Sequence, residues 1–271
     1  MNFKLWSVAI LAGVMTWAHD SQASVILSTT SYSENFNTLS TTDVNDVWST
    51  TAGTQAAVPG STGCDGVKLS GTSSGTGTNL MDFIADAGTS NTGAVHSYGA
   101  AANSERALGT VASGPNVPGI GVEIQNNTGT TITSVTINYT GEFWRSSQTV
   151  QNVLTFGYFI GASGSTTYLS AGGATAVTAL NLVGPAAAGS AAALDGNLVG
   201  NQASFGSTIT ANILQGQSLY LRWQDADDTG NDGGVAIDGF SLTATLVPEP
   251  SGLALLGFGT FAMIRFRRRG A

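Results

Sequence analysis

Cysteine is almost missing from this chain, Cys64 being the only one in 271 residues. No disulfide can close within it, so a folded body has to be held by packing rather than covalent staples. Histidine is nearly as scarce, with His19 and His96 alone, which excludes a zinc site of the ordinary thiol and imidazole kind. Charge is thin too, at 10% of residues. Between Ser24 and Leu246 only Lys68, Arg106, Arg145 and Arg222 face fifteen acids, the seventeen less Asp20 and Glu249, and four minus fifteen is −11. A body so short of cations has no face for nucleic acid or anionic lipid. Helical periodicity longer than about two turns is absent before the C-terminus.

What is present is glycine, 36 residues of it, among many Ser, Thr, Asn and Ala, with 42% hydrophobic content. That composition fits an exported all-β protein with one substantial core, and the length favours one domain. Residues 1–23 read as a secretory signal peptide. Lys4 gives a positive start, Leu5 to Met15 an apolar stretch, and Ser21-Gln22-Ala23 a small-x-small site that places cleavage between Ala23 and Ser24. The secretion translocon is the implied first partner.

The last residues, 247–271, read VPEPSGLALLGFGTFAMIRFRRRGA. Pro248, Glu249 and Pro250 precede an apolar run, Ser251 to Ile264, and a basic cluster, Arg265, Arg267, Arg268 and Arg269. An apolar helix with arginines behind it inserts with those charges left in the cytoplasm, which puts everything earlier outside. The run spans about 21 Å at ~1.5 Å per residue against roughly 30 Å of hydrocarbon, which suits a transient holding device better than a permanent anchor. Gly252, Gly257 and Gly259 weaken the helix further. In order and position these three parts resemble the PEP-CTERM sorting domain. The resemblance implies recognition by an exosortase, a membrane peptidase that cuts near Pro-Glu-Pro and passes the protein to the envelope or exopolysaccharide matrix.

The body, 24–246, reads as short β-type runs. In Ser134 to Thr140, Val153 to Ile160 and Ser218 to Trp223, apolar residues alternate with polar ones, giving strands with one face in a core and one in water. Val25 to Thr30, Val44 to Thr50 and Ala107 to Val111 are further strands, and Asn126-Asn127-Thr128-Gly129 is a turn. Ser70 to Asn79 and Ala85 to Thr92 read as low-complexity loops. Ala171 to Gly200 is ambiguous between loop and a short helix at Ala186 to Leu194. In the closing strand Val235 and Ile237 fall out of phase with Phe240 and Leu242, so Asp238-Gly239 marks a bulge or bend. The predicted fold is an antiparallel β-sandwich. The blocks at 97–110, 126–145 and 221–242 are similar to ones recurring in exported jelly-roll-like bacterial proteins that often carry PEP-CTERM tails. That class implies fold and location and no active site, and this chain departs from it at Gly239, where a second Asp is usual.

The densest polar constellation is Asp225, Asp227, Asp228, Asp232 and Asp238. Crowded carboxylates repel unless a cation or donors offset them, and Ca²⁺ with six to eight oxygen ligands is the exported solution. The spacing begins like an EF-hand and then fails at Thr229 and Ala236, leaving Asx-turns in a hairpin as the other reading. Trp48 and Trp144 are candidates for a sugar-stacking platform, while Trp223, in phase with Leu219 and Leu221, reads as core. Glu105, Glu123 and Glu142 have no local pattern pairing them as glycosidase acid and base. Glu142 near Arg145 suggests an ion pair at a strand end. The string Gly71-Thr72-Ser73-Ser74-Gly75 lacks the context of a nucleophile elbow. The expectation is therefore a non-catalytic surface or matrix protein needing no cofactor beyond a structural Ca²⁺. Carbohydrate binding is the alternative.

Overall fold

The computed structural model describes residues 24–48, 67–73, 81–165 and 173–248. Ala23, Cys64, Glu249, Pro250 and the arginine cluster lie outside them, as do the side chains of Asn45 to Trp48 and of Val67 to Ser73.

Among the described residues two sheets form. The first runs β1 (Val25–Leu27), β8 (Asn116–Asn126), β14 (Gln217–Gln224), β10 (Val153–Ala162) and β11 (Thr175–Ala176), with β4 (Val67–Ser73) also on β8 and β12 (Leu182–Val183) on β10. The second runs β13 (Gln202–Ile213), β9 (Ile132–Arg145), β15 (Gly234–Leu246), β7 (Ala107–Val111), β6 (Ala94–Tyr98), β5 (Met81–Asp86) and β3 (Val44–Trp48), with β2 (Ser31–Glu34) on β15. The result is a β-sandwich, mostly antiparallel. The β1–β8 and β5–β6 pairs are parallel, so both sheets are mixed.

The alternation read from the sequence decides which residues meet between the sheets. Trp223 of β14 meets Tyr139 of β9 edge-on at 5.4 Å and Phe240 of β15 at 6.0 Å, while Phe156 of its own sheet lies 4.9 Å away. Leu219, Leu221, Val135, Ile137 and Leu242 fill the same core. Asp238-Gly239 is the expected bulge. The β15–β9 register shifts between Asp238 and Ser241, and Gly239 sits at φ +54°, where a Cβ is strained. The turn after β8 is set by Asn126, whose Oδ1 accepts from the Thr128 amide at 3.1 Å, with Gly129 at φ +86°.

Two loop expectations give way. Ser70 to Ser73 belong to β4, because β8 supplies backbone partners that composition does not reveal. Ala85 and Asp86 end β5, and the Asp86 carboxylate then accepts the amides of Gly88 and Ser90. No helix forms at Ala186 to Leu194. That segment is a strap along the end of β9, where Ala188 donates to the Ser147 carbonyl and Leu194 to that of Trp144. No helix among the described residues is long and apolar enough to cross a membrane.

Candidate functional site

From Gly141 onward β9 is buried on both faces, whereas Thr136, Asn138 and Thr140 leave its outer face partly open. The strap and the loop after β5 provide the cover. Beneath them lies a second small apolar cluster of Tyr98, Ala107, Val111, Trp144 and Ala236. Tyr98 stacks on Trp144 at 5.6 Å and on His96 at 4.9 Å. Trp144 is 1% exposed, which corrects its assignment to a sugar platform, since neither ring face is open to a ligand. Trp48 lies in β3 with its side chain outside the described set. His96 is likewise enclosed, with Nδ1 3.4 Å from Asp86 and Nε2 3.2 Å from the Thr92 carbonyl, so it cannot serve a nucleophile at Ser73.

Register brings the carboxylates together. Ala236 faces Glu142 and Asp238 faces Thr140, so Glu142 and Asp238 are diagonal neighbours on the outer face of the second sheet. Glu105, arriving from the loop before β7, completes a group in which one carboxylate oxygen from each residue lies within 4.8 Å of the other two. Glu142 accepts from Trp144 Nε1 at 2.9 Å and from Gln202 Nε2 at 3.0 Å, and Glu105 accepts from Asn197 Nδ2 at 2.6 Å. Asp238 Oδ1 is enclosed without a hydrogen-bond partner.

Burial, with the charges of Asp238 and Glu105 added, pushes Glu142 up to about 7. Burial, with Glu105 and Glu34, pushes Asp238 up to about 6. Glu34 borders a groove of about 270 Å³ lined by Ser33, Glu34, Asn35, Gly239, Phe240 and Ser241. Close carboxylates of this kind are held by shared protons or by a hard cation. Acid and base work on a glycoside is poorly served, because Glu142 is 1% exposed and closed to substrate.

The five aspartates expected together are divided. Asp238 joins the glutamates. Asp225 is buried and accepts from Thr110 Oγ1 at 2.7 Å and the Ala226 amide at 2.9 Å, while both Asp232 oxygens accept the Asp228 amide at 3.3 Å. Burial, then their acidic neighbours, pushes Asp225 and Asp232 up to about 7 each. Asp227 is exposed. The loop is closed by carboxylates that accept from the next amide, Ala226 to Asp225, and from one four residues earlier, Asp228 to Asp232, not across the two-residue span of an Asx-turn.

The expected Glu142–Arg145 pair does not form. Arg145 turns to the Gly88 and Thr89 carbonyls at 3.2 and 3.3 Å, because Glu142 is engaged by Trp144. Glu123 lies in the first sheet, far in the register from Glu105 and Glu142, where Ser163, Ser218 and the Gly164 amide donate to it. Burial alone would raise its pKa, and these donors with Ser24 bring it below the usual value. Sequence reasoning missed the Glu105–Glu142–Asp238 grouping, since it takes both the β9–β15 register and the loop before β7 to unite residues so far apart.

Residues 246–269 match the PEP-CTERM protein-sorting motif. No curated protein matches the chain. Among solved structures, it is similar to the CBM22-1 xylan-binding domain of Paenibacillus barcinonensis Xyn10C, at 10% identity and TM-score 0.31 over 80% of this chain and 95% of that one. TmCBM61 in complex with β-1,4-galactotriose gives 11% and 0.28 over 54% and 74%. The K3 cleaved adhesin domain of Lys-gingipain from Porphyromonas gingivalis gives 11% and 0.33 over 54% and 78%. At these values the site stands on its own residues.

Proposed function

From the sorting motif we propose that this chain is an exported, non-catalytic surface or matrix protein. The membrane-held tail presents it to an exosortase, which delivers the body to the cell envelope or exopolysaccharide. The observation that carries this reading is the motif match over residues 246–269, in which Pro248-Glu249-Pro250, the apolar run and the arginines stand in order. The body fits the role. Its last strand ends at Leu246, and the Val247 amide still donates to the Thr131 carbonyl at 2.9 Å, so cleavage beyond Pro248 leaves the sheet whole.

Intact-mass measurement on protein from the native host tests the reading. The expected species starts at Ser24 and ends near Pro250, in the envelope or medium. Full-length protein ending in Ala271, recovered among soluble cell contents, overturns it.

Carbohydrate binding is the second reading, favoured by the groove beside β2, whose Ser33, Glu34, Asn35 and Ser241 are hydroxyl, carboxylate and amide partners for sugar hydroxyls. A structural Ca²⁺ belongs to it, with Asp238, Glu105 and Glu142 replacing the aspartate loop as the oxygen donors. Polysaccharide pull-down by wild type but not by Asn35→Ala is the expected result, and equal retention of both removes the groove.

A further inference from the structure

The border strand β13 is unusual for a sheet edge. From Gln202 to Thr210 it keeps unbroken register with Glu142 to Ser134 of β9, and among the described residues nothing pairs with its other side. Such edges are ordinarily protected by charge, proline, bulges or shortness. Gln202 to Ile213 reads QASFGSTITANI, without an acid, a base or a proline, in a body of formal charge −11 by the count above. The one protective device is a register shift between Thr210 and Ile213, at the end of the run. Its outward residues Ser204, Gly206, Thr208 and Thr210 are exposed and small, so another backbone can approach.

Apolar side chains flank this strand. Leu198 and Val199 precede it, 58% and 88% exposed, and Leu214 follows it, 54% exposed. Leu198 and Leu214 each lie eight residues from Gly206 in the chain, with the short 3-10 turn Val199–Asn201 on one arm and the register shift after Thr210 on the other. A second copy laid antiparallel about Gly206 therefore brings Leu198 of each chain toward Leu214 of the other and sets Ser204 opposite Thr208. Antiparallel pairing about a two-fold axis is self-complementary, and an uncharged edge lets two acidic bodies meet where repulsion is least. A partner of other sequence would have to supply apolar groups at both ends at this spacing, which the chain itself already does.

We propose that β13 is a docking edge for a second copy of this chain, joining two bodies through one continuous sheet capped at each end by Leu198, Val199 and Leu214. This goes beyond the surface-protein reading and does not depend on tail cleavage, since wild type and variants are compared in the same processed form.

Sedimentation velocity on protein recovered from producing cells tests it. Wild type is expected as a dimer at tens of micromolar, and Thr208→Lys as a monomer with unchanged circular dichroism. Should Thr208→Lys misfold, Ser204→Cys/Thr208→Cys in a Cys64→Ser background serves instead, with interchain disulfides expected on mild oxidation. A monomeric wild type, or a dimer that survives Thr208→Lys without cross-linking through positions 204 and 208, overturns the proposal.

Discussion

Trp144 Nε1 donates to Glu142 Oε2 at 2.9 Å, two residues back on the same face of the same strand. The bond ties the small outer cluster to the carboxylate group and fixes where Glu142 can point. Glu142→Gln keeps an acceptor for the indole and removes one negative charge from beside Asp238 and Glu105. The variant is expected to melt higher than wild type at pH 8, and thermal unfolding at that pH in the absence of divalent cations checks it.

Four carboxyls, Glu142, Asp225, Asp232 and Asp238, are pushed up to between about 6 and 7, against ordinary values near 4. The folded state therefore holds more protons than the unfolded chain between about pH 4 and 7, and stability falls as pH rises through that window. Asp86 and Glu123 are held below their usual values and act in the opposite direction, at lower pH. The melting temperature is expected to be higher at pH 5 than at pH 7.5. A flat profile, or one rising toward neutrality, contradicts the environments described.

A hard cation would give two of these carboxylates, Glu142 and Asp238, a second way to be satisfied, together with Glu105. If it occupies Glu105, Glu142 and Asp238, adding millimolar Ca²⁺ at pH 7.5 raises the melting temperature, and Asp238→Asn abolishes the rise while Asp227→Asn leaves it. An unchanged melting curve removes the metal.

Gly196 lies against the Trp144 indole, and a Cβ placed there overlaps Nε1. Gly88 lies against the Trp144 carbonyl at φ +82°. Gly196→Ala is expected to cost about 2–3 kcal/mol, within the usual span for overpacking. For a body of this size that is roughly 4–12 °C in melting temperature. Trp223→Ala, which empties the junction of Tyr139, Phe156 and Phe240, is expected to cost about 3–5 kcal/mol. Denaturant titration with a common slope measures both.

Period-two alternation made β9, β10 and β14 legible, and the phase break at Asp238-Gly239 located the bulge, because one side of each strand faces water and the pattern survives. Where both faces are covered the pattern vanishes. Gly141 to Arg145 carries no alternation of burial, so neither the enclosure of Trp144 nor the strap over it could be read from the sequence. The acidic group is half legible. Asp238 stands out in the sequence, but its neighbours arrive through the β9–β15 register and the loop before β7, while proximity in the chain favours Asp225 to Asp232. Ser70 to Ser73 show the same limit, because a Gly-Ser-Thr run becomes a strand only when another strand needs a partner.

The final strand, β15, is bonded on both sides, to β9 along most of its length and to β7 and β2 on its other edge. Synthesis from the N-terminus delivers this centrepiece last, so the preceding strands emerge with a gap in the middle of their sheet. Closure of that sheet thus waits on Gly234 to Leu246, the strand that runs directly into the sorting motif at 246–269.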